Sequence, residues 1–189
     1  MTFVFLTAPE GVAVAELTLV STASSELTAQ RFAPFRRLGT PVFLETVRLP
    51  YTAQQRILDQ VAVPGIRYYG RGNVLDTLDP LVIEPLATAY AEAASPQRLV
   101  LFVRLGGAVA AMPMAATAFP HPNRPWVVTA LAIWRVPADD GANRAWIERA
   151  WSALPALPKA VYVNELGDEG NERVRAAYGP NDECSSQLE

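Results

Sequence analysis

The sequence is poor in the residues that most often carry self-contained chemistry. It has one cysteine, one histidine and, among 16 basic residues, one lysine, in 189 positions. A lone Cys184 cannot close an internal disulfide, which excludes a disulfide scaffold and suits a reducing compartment. As a residue in its own right, Cys184 reads as an incidental thiol. One His and one Cys far apart in sequence are poor material for a metal centre, so no metal ligands are assigned. Any histidine-dependent hydrolase would have to use His121, in the proline-rich stretch 119–125, and no carboxylate to orient it can be named. Otherwise His121 is a solvent-facing or loop-packing residue. Net charge is −3 and no run of Lys and Arg occurs, so nothing marks a nucleic-acid footprint. Apolar runs are short and broken by Pro or Gly, which argues against a membrane span. The N-terminal stretch has no basic region ahead of its apolar residues, which argues against a secretory leader. A cytoplasmic protein is the expectation.

The usual phosphate-binding and nucleophile motifs are absent too. No Walker-type loop occurs and no nucleophile elbow with Ser between glycines is found. Gly70-Arg71-Gly72 supplies only the first three positions of a dinucleotide-binding fingerprint.

Half of the residues are hydrophobic, enough to bury a core, and 189 residues make one domain over 1–189 the default. β-type runs fall at 2–8, 12–20, 41–49, 66–71, 98–105, 126–135 and 160–166. Helical patterns fall at 26–38, 52–60, 80–93, 139–153 and 171–178. Asp76 or Asp79 stands as a cap, with Pro80 in the first turn, and Pro85 interrupts the pattern. In 139–153, Trp146, Ile147, Ala150, Trp151 and Leu154 recur at helical spacing. Strands and helices do not strictly alternate, which disfavours a doubly wound parallel sheet. The expected class is α+β, an antiparallel sheet with helices packed on one face, built as a ferredoxin-like plait.

Four groups of residues are candidates for a site. Tyr162 and Asn164, two apart on an expected strand, would share a face; a phenol can take a proton and an amide can orient a polar group. Equally, Tyr162 can pack in the core with its hydroxyl tied to backbone. Trp126 and Trp134 bracket one strand and share a face, where they either line a ligand cleft or pack under helices. Trp146 and Trp151 are read as packing residues. Tyr68 and Tyr69 with Arg67 and Arg71 either grip an anionic or aromatic ligand or mark a half-exposed strand.

From Gly106 onward a set of short segments becomes recognisable. They are Gly106-Gly107-Ala108, Thr117-Ala118-Phe119-Pro120-His121, a strand ending in Trp134 followed by Pro137-Ala138-Asp139-Asp140, then Tyr162-Val163-Asn164 and Arg173-Val174-Arg175-Ala176-Ala177-Tyr178-Gly179. Upstream, Leu6-Thr7-Ala8-Pro9, Ala33-Pro34-Phe35-Arg36 and Pro50-Tyr51 agree more loosely. In this order and spacing the chain resembles the berberine-bridge-enzyme-like FAD-linked oxidases, over nearly its whole length. The resemblance implies the substrate-binding domain of such an oxidase, whose sheet covers the reactive face of the flavin. It implies Tyr162 as the catalytic base and Asn164 as a substrate-binding residue. Thr129 stands where many members carry Gln, Glu or Asn, and Glu165 where many carry a second aromatic. Thr129, Trp126 and Trp134 complete the expected substrate-binding set, and no residue is assigned to cofactor binding.

The segments that hold FAD in that family have no counterpart here, so no flavin is expected on this chain alone. Two readings follow. In the first, the chain binds a small-molecule substrate against a flavin supplied by a partner chain. In the second, it is a non-catalytic ligand-binding or dimerisation module derived from that domain, with an apolar sheet face to cover. A polar, pocketed face around Thr129 and Tyr162 favours the first; a flat, apolar one favours the second.

Overall fold

A computed structural model of the chain describes residues 1–57, 59, 63–93, 97–167 and 169–181. Cys184 lies outside these residues. The chain divides into two compact units, residues 1–18 with 67–189, and residues 19–66.

The larger unit is built on one sheet of five strands. These are β1 (Thr2–Thr7), β2 (Ala13–Thr18), β3 (Arg67–Leu75), β4 (Arg98–Arg104) and β5 (Trp126–Trp134). Their order is β2-β1-β4-β5-β3, and every neighbouring pair is antiparallel. The chain is α+β, as its unalternated strand order requires. From β3 onward it runs β3, α3 (Pro80–Ala91), β4, β5, α5 (Asp140–Ser152). That is the ferredoxin-like order, short of its last strand.

The expected strand at 160–166 is not formed. One backbone bond, Val74 N–H to the Ala160 carbonyl at 2.9 Å, starts an edge beside β3. The chain then turns into a 3-10 turn at Val163–Glu165, closed by Glu165 N–H to the Tyr162 carbonyl. In contrast, β3 is longer than expected and continues through Gly72 and Asn73 to Leu75, paired along its whole length with β5.

Side chains alternate across each strand, so the sheet has two unlike faces. One carries Val100 and Phe102 of β4 and Val128, Ala130, Ala132 and Trp134 of β5. It is covered by α3 and α5, which contribute Val82, Leu86, Tyr90, Trp146, Ile147 and Ala150 to the same cluster. Asp79 caps α3 by accepting from Leu81 N–H at 2.8 Å, with Pro80 at the first position, as its sequence requires. The helix runs on through Pro85. The second face carries Val74, Val127 and Thr129. Near β3 a smaller cluster covers it, formed by Val74, Val127 and Ala160 with Val103, Leu105, Phe119 and Tyr162. Two further helices complete the unit, α4 (Ala108–Ala111) and α6 (Asn171–Tyr178).

The smaller unit holds α1 (Ser25–Phe32), a 3-10 turn at Phe35–Arg37 and α2 (Tyr51–Gln55). Neither helix has a buried residue. Helix α1 stops short of the expected 26–38: Ala33 keeps helical dihedrals, but Pro34 has no N–H to continue the ladder, and a separate 3-10 turn follows at Phe35–Arg37. The strand expected at 41–49 is not formed, and Val42, Phe43 and Leu44 are exposed there. Its alternation of apolar residues is real, but no described strand pairs with it, and Pro41 and Pro50 remove a donor at each end.

Candidate functional site

The site is built where the segment 160–167 crosses the second face of the sheet. Gly72 on β3 permits the crossing. A Cβ on Gly72 would sit 2.5 Å from Glu165 Cβ, and one on Gly70 would sit 2.8 Å from the Ala130 carbonyl oxygen. Gly167 in turn lies close over the Gly70 carbonyl. Gly72, with Gly167 set over the Gly70 carbonyl, therefore forms a glycine track on which the turn carrying Tyr162, Asn164 and Glu165 rests against β3. Arg173 of α6 fastens the same place, donating from Nη2 to the Gly72 carbonyl at 2.9 Å.

Within the turn, Asn164 Nδ2 donates to the Tyr162 phenolic oxygen at 2.8 Å. The two residues do act as a pair, though through the geometry of a turn and not through strand alternation. Asn164 is exposed and Tyr162 half-buried. Because the amide donates to the phenol, the phenol's own proton is available to a third group. Tyr162 is held from behind by Phe119, edge-on at 5.5 Å, and Phe119 by His121, edge-on at 5.7 Å. His121 thus belongs to the scaffold behind the tyrosine. Burial holds its imidazole below 6.5, opposed by a hydrogen bond with the Ala176 backbone and reinforced by nearby Arg124. Its Nε2 is buried without a hydrogen-bond partner.

Thr129 lies on the same face as this turn, opposite Gly72 on β3 and Leu101 on β4, and is buried. The structure thus brings Thr129, Tyr162 and Asn164 to one side of the sheet. Trp126 and Trp134 are on the other. Trp134 is part of the helix-covered cluster, Trp126 packs against it, and the Trp134 indole donates to Asp140 Oδ1 at 2.7 Å. Trp126 stacks under the Arg104 guanidinium, 5.2 Å from its ring centre. Two tryptophans sharing a face was the correct inference, and the face is the one filled by helices.

The patch at Arg67, Tyr69 and Arg71 is also committed within the protein. Arg67 grips Asp140 with two bonds of 2.6 Å and holds that carboxyl below its usual range. Tyr69 donates to Glu148, and Arg71 donates to Glu148 and Glu169. The arginines are used to fasten α5 and the 169–173 region to β3. The signal for the glycine track was present in sequence as two glycines at alternate positions of a β-rich run.

Two concavities are formed by the described residues. One of about 510 Å³ lies between α3 and α5, lined by Pro85, Ala89, Trp146 and Arg149. The other, about 250 Å³, lies at the edge of β3 and is lined by Arg71, Asn73, Trp151, Glu169 and Arg173. Neither of these two is lined by Thr129, Tyr162 or Asn164. Among the described residues no group of His, Cys, Asp and Glu could hold a metal ion, and no helix is long and apolar enough to cross a membrane.

No family profile matches the chain. It is similar to a FAD-linked oxidoreductase of Dictyostelium discoideum, 24% identical over 182 residues, which is 95% of this chain and 39% of that protein. Among solved structures it is similar to aclacinomycin oxidoreductase, with a TM-score of 0.74 and 17% identity over 99% of this chain and 43% of that one. CrmK, a flavoenzyme of caerulomycin biosynthesis, aligns with a TM-score of 0.71 and 19% identity over 95% and 42% of the two chains. A berberine bridge enzyme variant aligns with a TM-score of 0.64 and 15% identity over 95% and 42%. The chain spans about two fifths of the length of the proteins it matches. Five antiparallel strands in this order, with α3 and α5 on one face, thus have the fold of the substrate-binding portion of the berberine-bridge-like FAD-linked oxidases.

Proposed function

We propose that the chain is the substrate-binding part of a FAD-linked oxidoreductase and meets a flavin held by a separate domain or chain. The observation that carries this reading is the Asn164–Tyr162 hydrogen bond, mounted on the glycine track beside Thr129. Asn164 fixes the phenolic oxygen by donating to it. Tyr162, after its own proton has passed to water, holds a substrate hydroxyl as the phenolate and takes that hydroxyl's proton, while Asn164 and Thr129 orient the molecule.

The residues of this chain do not suit a dinucleotide. Pyrophosphate is held by free N–H groups at a helix start, with the positive end of the dipole facing it. Here Asp79 caps α3, Asp139 and Asp140 begin α5, and Glu172 lies in the first turn of α6. These three starts already carry negative charge, and α2 and α4, which begin without an acidic residue, are only five and four residues long; on this reading the chain covers a flavin and does not grip one. The substrate is a small molecule, the place of work is the cytoplasm, and neither nucleic acid nor membrane is a partner.

Titrating the purified chain with FAD tests the division of labour, and a stoichiometric complex with a shifted flavin band overturns it. Co-expression with a flavin domain encoded beside it tests the role of Tyr162. The Tyr162→Phe chain should still join that domain, while anaerobic bleaching of the flavin by a hydroxylated substrate slows by about a hundredfold or more. Unchanged bleaching removes Tyr162 from the site.

One observation favours a second reading, a dimerisation module. The smaller unit exposes Val42, Phe43, Leu44, Val47 and Leu49 within eight residues, a larger apolar stretch than a lone soluble domain usually shows. Light scattering of the full chain decides, since a monomer at high concentration excludes this reading.

A further inference from the structure

The turn at Val163–Glu165 holds a carboxylate that the proton step above does not use. Glu165 N–H donates to the Tyr162 carbonyl at 2.9 Å, closing a four-residue turn that brings the Cα atoms of the two residues to within about 7 Å. The Glu165 side chain starts on the second face of the sheet. Its Cβ lies 2.5 Å, and its Cγ 3.2 Å, from the point where a Gly72 Cβ would stand. Thr129 is directly opposite Gly72, and such cross-strand neighbours hold their Cβ positions about 4.5–5.5 Å apart. The root of Glu165 is therefore within about 8 Å of Thr129. Tyr162 packs against Val74 and Val127 on the same face.

The charge of Glu165 is uncommitted. Asp140 pairs with Arg67, Glu148 with Arg71, Glu169 with Arg71 and Arg173, and Glu172 with Lys159. Glu165 alone among the described acids of 140–172 has a side chain with no ion pair and no hydrogen bond. Arg173, whose Nη2 holds the Gly72 carbonyl, pairs with Glu169 instead. The carboxylate is also open to a ligand. Glu165 is half-buried, and the polar side-chain atoms buried without a partner among the described residues are His121 Nε2 and Glu169 Oε1. Both Glu165 oxygens, which have no partner, therefore meet solvent.

This charge bears on which substrate fits. Tyr162 as a phenol, Asn164 and Thr129 are neutral, so Glu165 leaves the site with one negative charge. An anion is repelled. A neutral hydroxyl can donate to the carboxylate, but an ammonium does so with a charge-assisted bond about twice as strong. The proton step favours the same choice. A carboxylate beside Tyr162 opposes the phenolate that takes the substrate's proton, and a positive charge brought in with the substrate offsets it.

We propose that Glu165 is a specificity-determining residue of this site and selects an amino alcohol, its ammonium against Glu165 and its hydroxyl against Tyr162. The inference rests on the reading of Tyr162 and Asn164 as a substrate site.

The test uses the full chain with isotope-labelled tyrosine rings, the Tyr162 signal being assigned by its loss in Tyr162→Phe. Three probes of one shape differ in charge: phenylethanolamine, the neutral phenylethanediol and the anionic mandelate. We expect the amine to shift the Tyr162 signal saturably and to bind about tenfold or more tighter than the diol, the scale of one hydrogen bond to a charged group. Mandelate should bind weakest. In Glu165→Gln the amine should fall to the affinity of the diol, with the diol unchanged. A second measurement needs no variant: in about 1 M salt the preference of the wild-type chain for the amine should shrink, because charge is then screened within a few ångström. Equal binding of amine and diol to the wild-type chain overturns the proposal and leaves Tyr162 as a substrate contact. A preference that survives Glu165→Gln, or that salt does not touch, overturns it in the same way. If none of the three probes moves the Tyr162 signal of the folded chain, the reading of Tyr162 as a substrate contact fails, and the selection by Glu165 fails with it.

Discussion

The two faces of the sheet are made from the same strands and do different work. On the helix-covered face the large side chains fill the space between layers, and their polar tips are answered from within: Trp134 by Asp140, Trp146 by the Ala89 carbonyl, Tyr90 by Thr7. On the second face no such layer of apolar helix stripes is laid down by α3 and α5. It carries a smaller apolar cluster and a turn, seated at Gly72, that presents a phenol and an amide. The larger apolar core lies on the first face and the proposed site on the second, the division expected when a scaffold positions a site outside its core.

The contrast is broken most strongly by truncating one residue on each face. Phe102 is fully buried under α3 and touches Phe3 and Phe5 edge-on or tilted. Phe102→Ala should cost about 3–5 kcal/mol, a large share of the roughly 5–15 kcal/mol that holds a typical domain folded. Leu131, half-buried on the second face, should cost about 1–2 kcal/mol as Leu131→Ala, since less surface is removed from water. Urea midpoints of the two variants measure the difference, and equal losses would show that the second face is as tightly packed as the first.

Next in size is Gly72→Ala. The new Cβ meets Glu165 at its own Cβ, which cannot swing away as a side-chain tip could. The turn must lift from β3, at about 1–3 kcal/mol, and the Asn164–Tyr162 bond lifts with it. Adding Glu165→Gly removes the collision, so the double variant should recover most of the loss. Without recovery the glycine track is not what seats the turn.

Acid should act on the second face before the first. Burial keeps the His121 imidazole below 6.5 in the folded chain, while the unfolded chain titrates at that value. The unfolded state therefore takes up a proton first, and stability falls as pH drops below 6.5, down to the folded-state value. Above 6.5 the residue contributes no pH dependence. His121→Asn should flatten this limb in melts recorded across mildly acid pH. A limb that persists would assign it to another group.

Most of the helix-covered face was legible in the sequence. The runs at 2–8, 98–105 and 126–135 and the apolar stripe of 139–153 each carry a strong period, and Asp79 with Pro80 carries a local cap, so pattern and structure agree. Legibility failed where pairing or close approach decides. The alternation at 41–49 describes residues that could form a strand, and nothing described pairs with them. The Gly72 and Asn73 pair reads as punctuation, yet β3 passes through it, because the glycine is required by the turn above and Asn73 is satisfied by Pro158 and Val74. Tyr162 and Asn164 were correctly grouped, but by an alternation that the 3-10 turn replaces. The pocket around Glu169 was not legible at all: Arg71, Trp151 and Glu169 are separated by up to 98 positions, and no local period connects them.

The smallest effect separates two tyrosines that differ only in which face they occupy. Tyr90 is buried and shares a 2.6 Å hydrogen bond with Thr7 across layers. Tyr90→Phe leaves the threonine hydroxyl half-buried and unanswered, at about 1–2 kcal/mol. Tyr162 is half-buried, and its partner Asn164 is exposed, so water replaces the phenol when it is removed. Tyr162→Phe should then cost about 0.5 kcal/mol, the low end for one hydrogen bond. A hydroxyl that contributes so little to the fold, held in place by a dedicated amide, is available for work on a substrate. If Tyr162→Phe instead proves as costly as Tyr90→Phe, the phenol is a strut of the second face, and the reading of Tyr162 as the reacting group loses its physical ground.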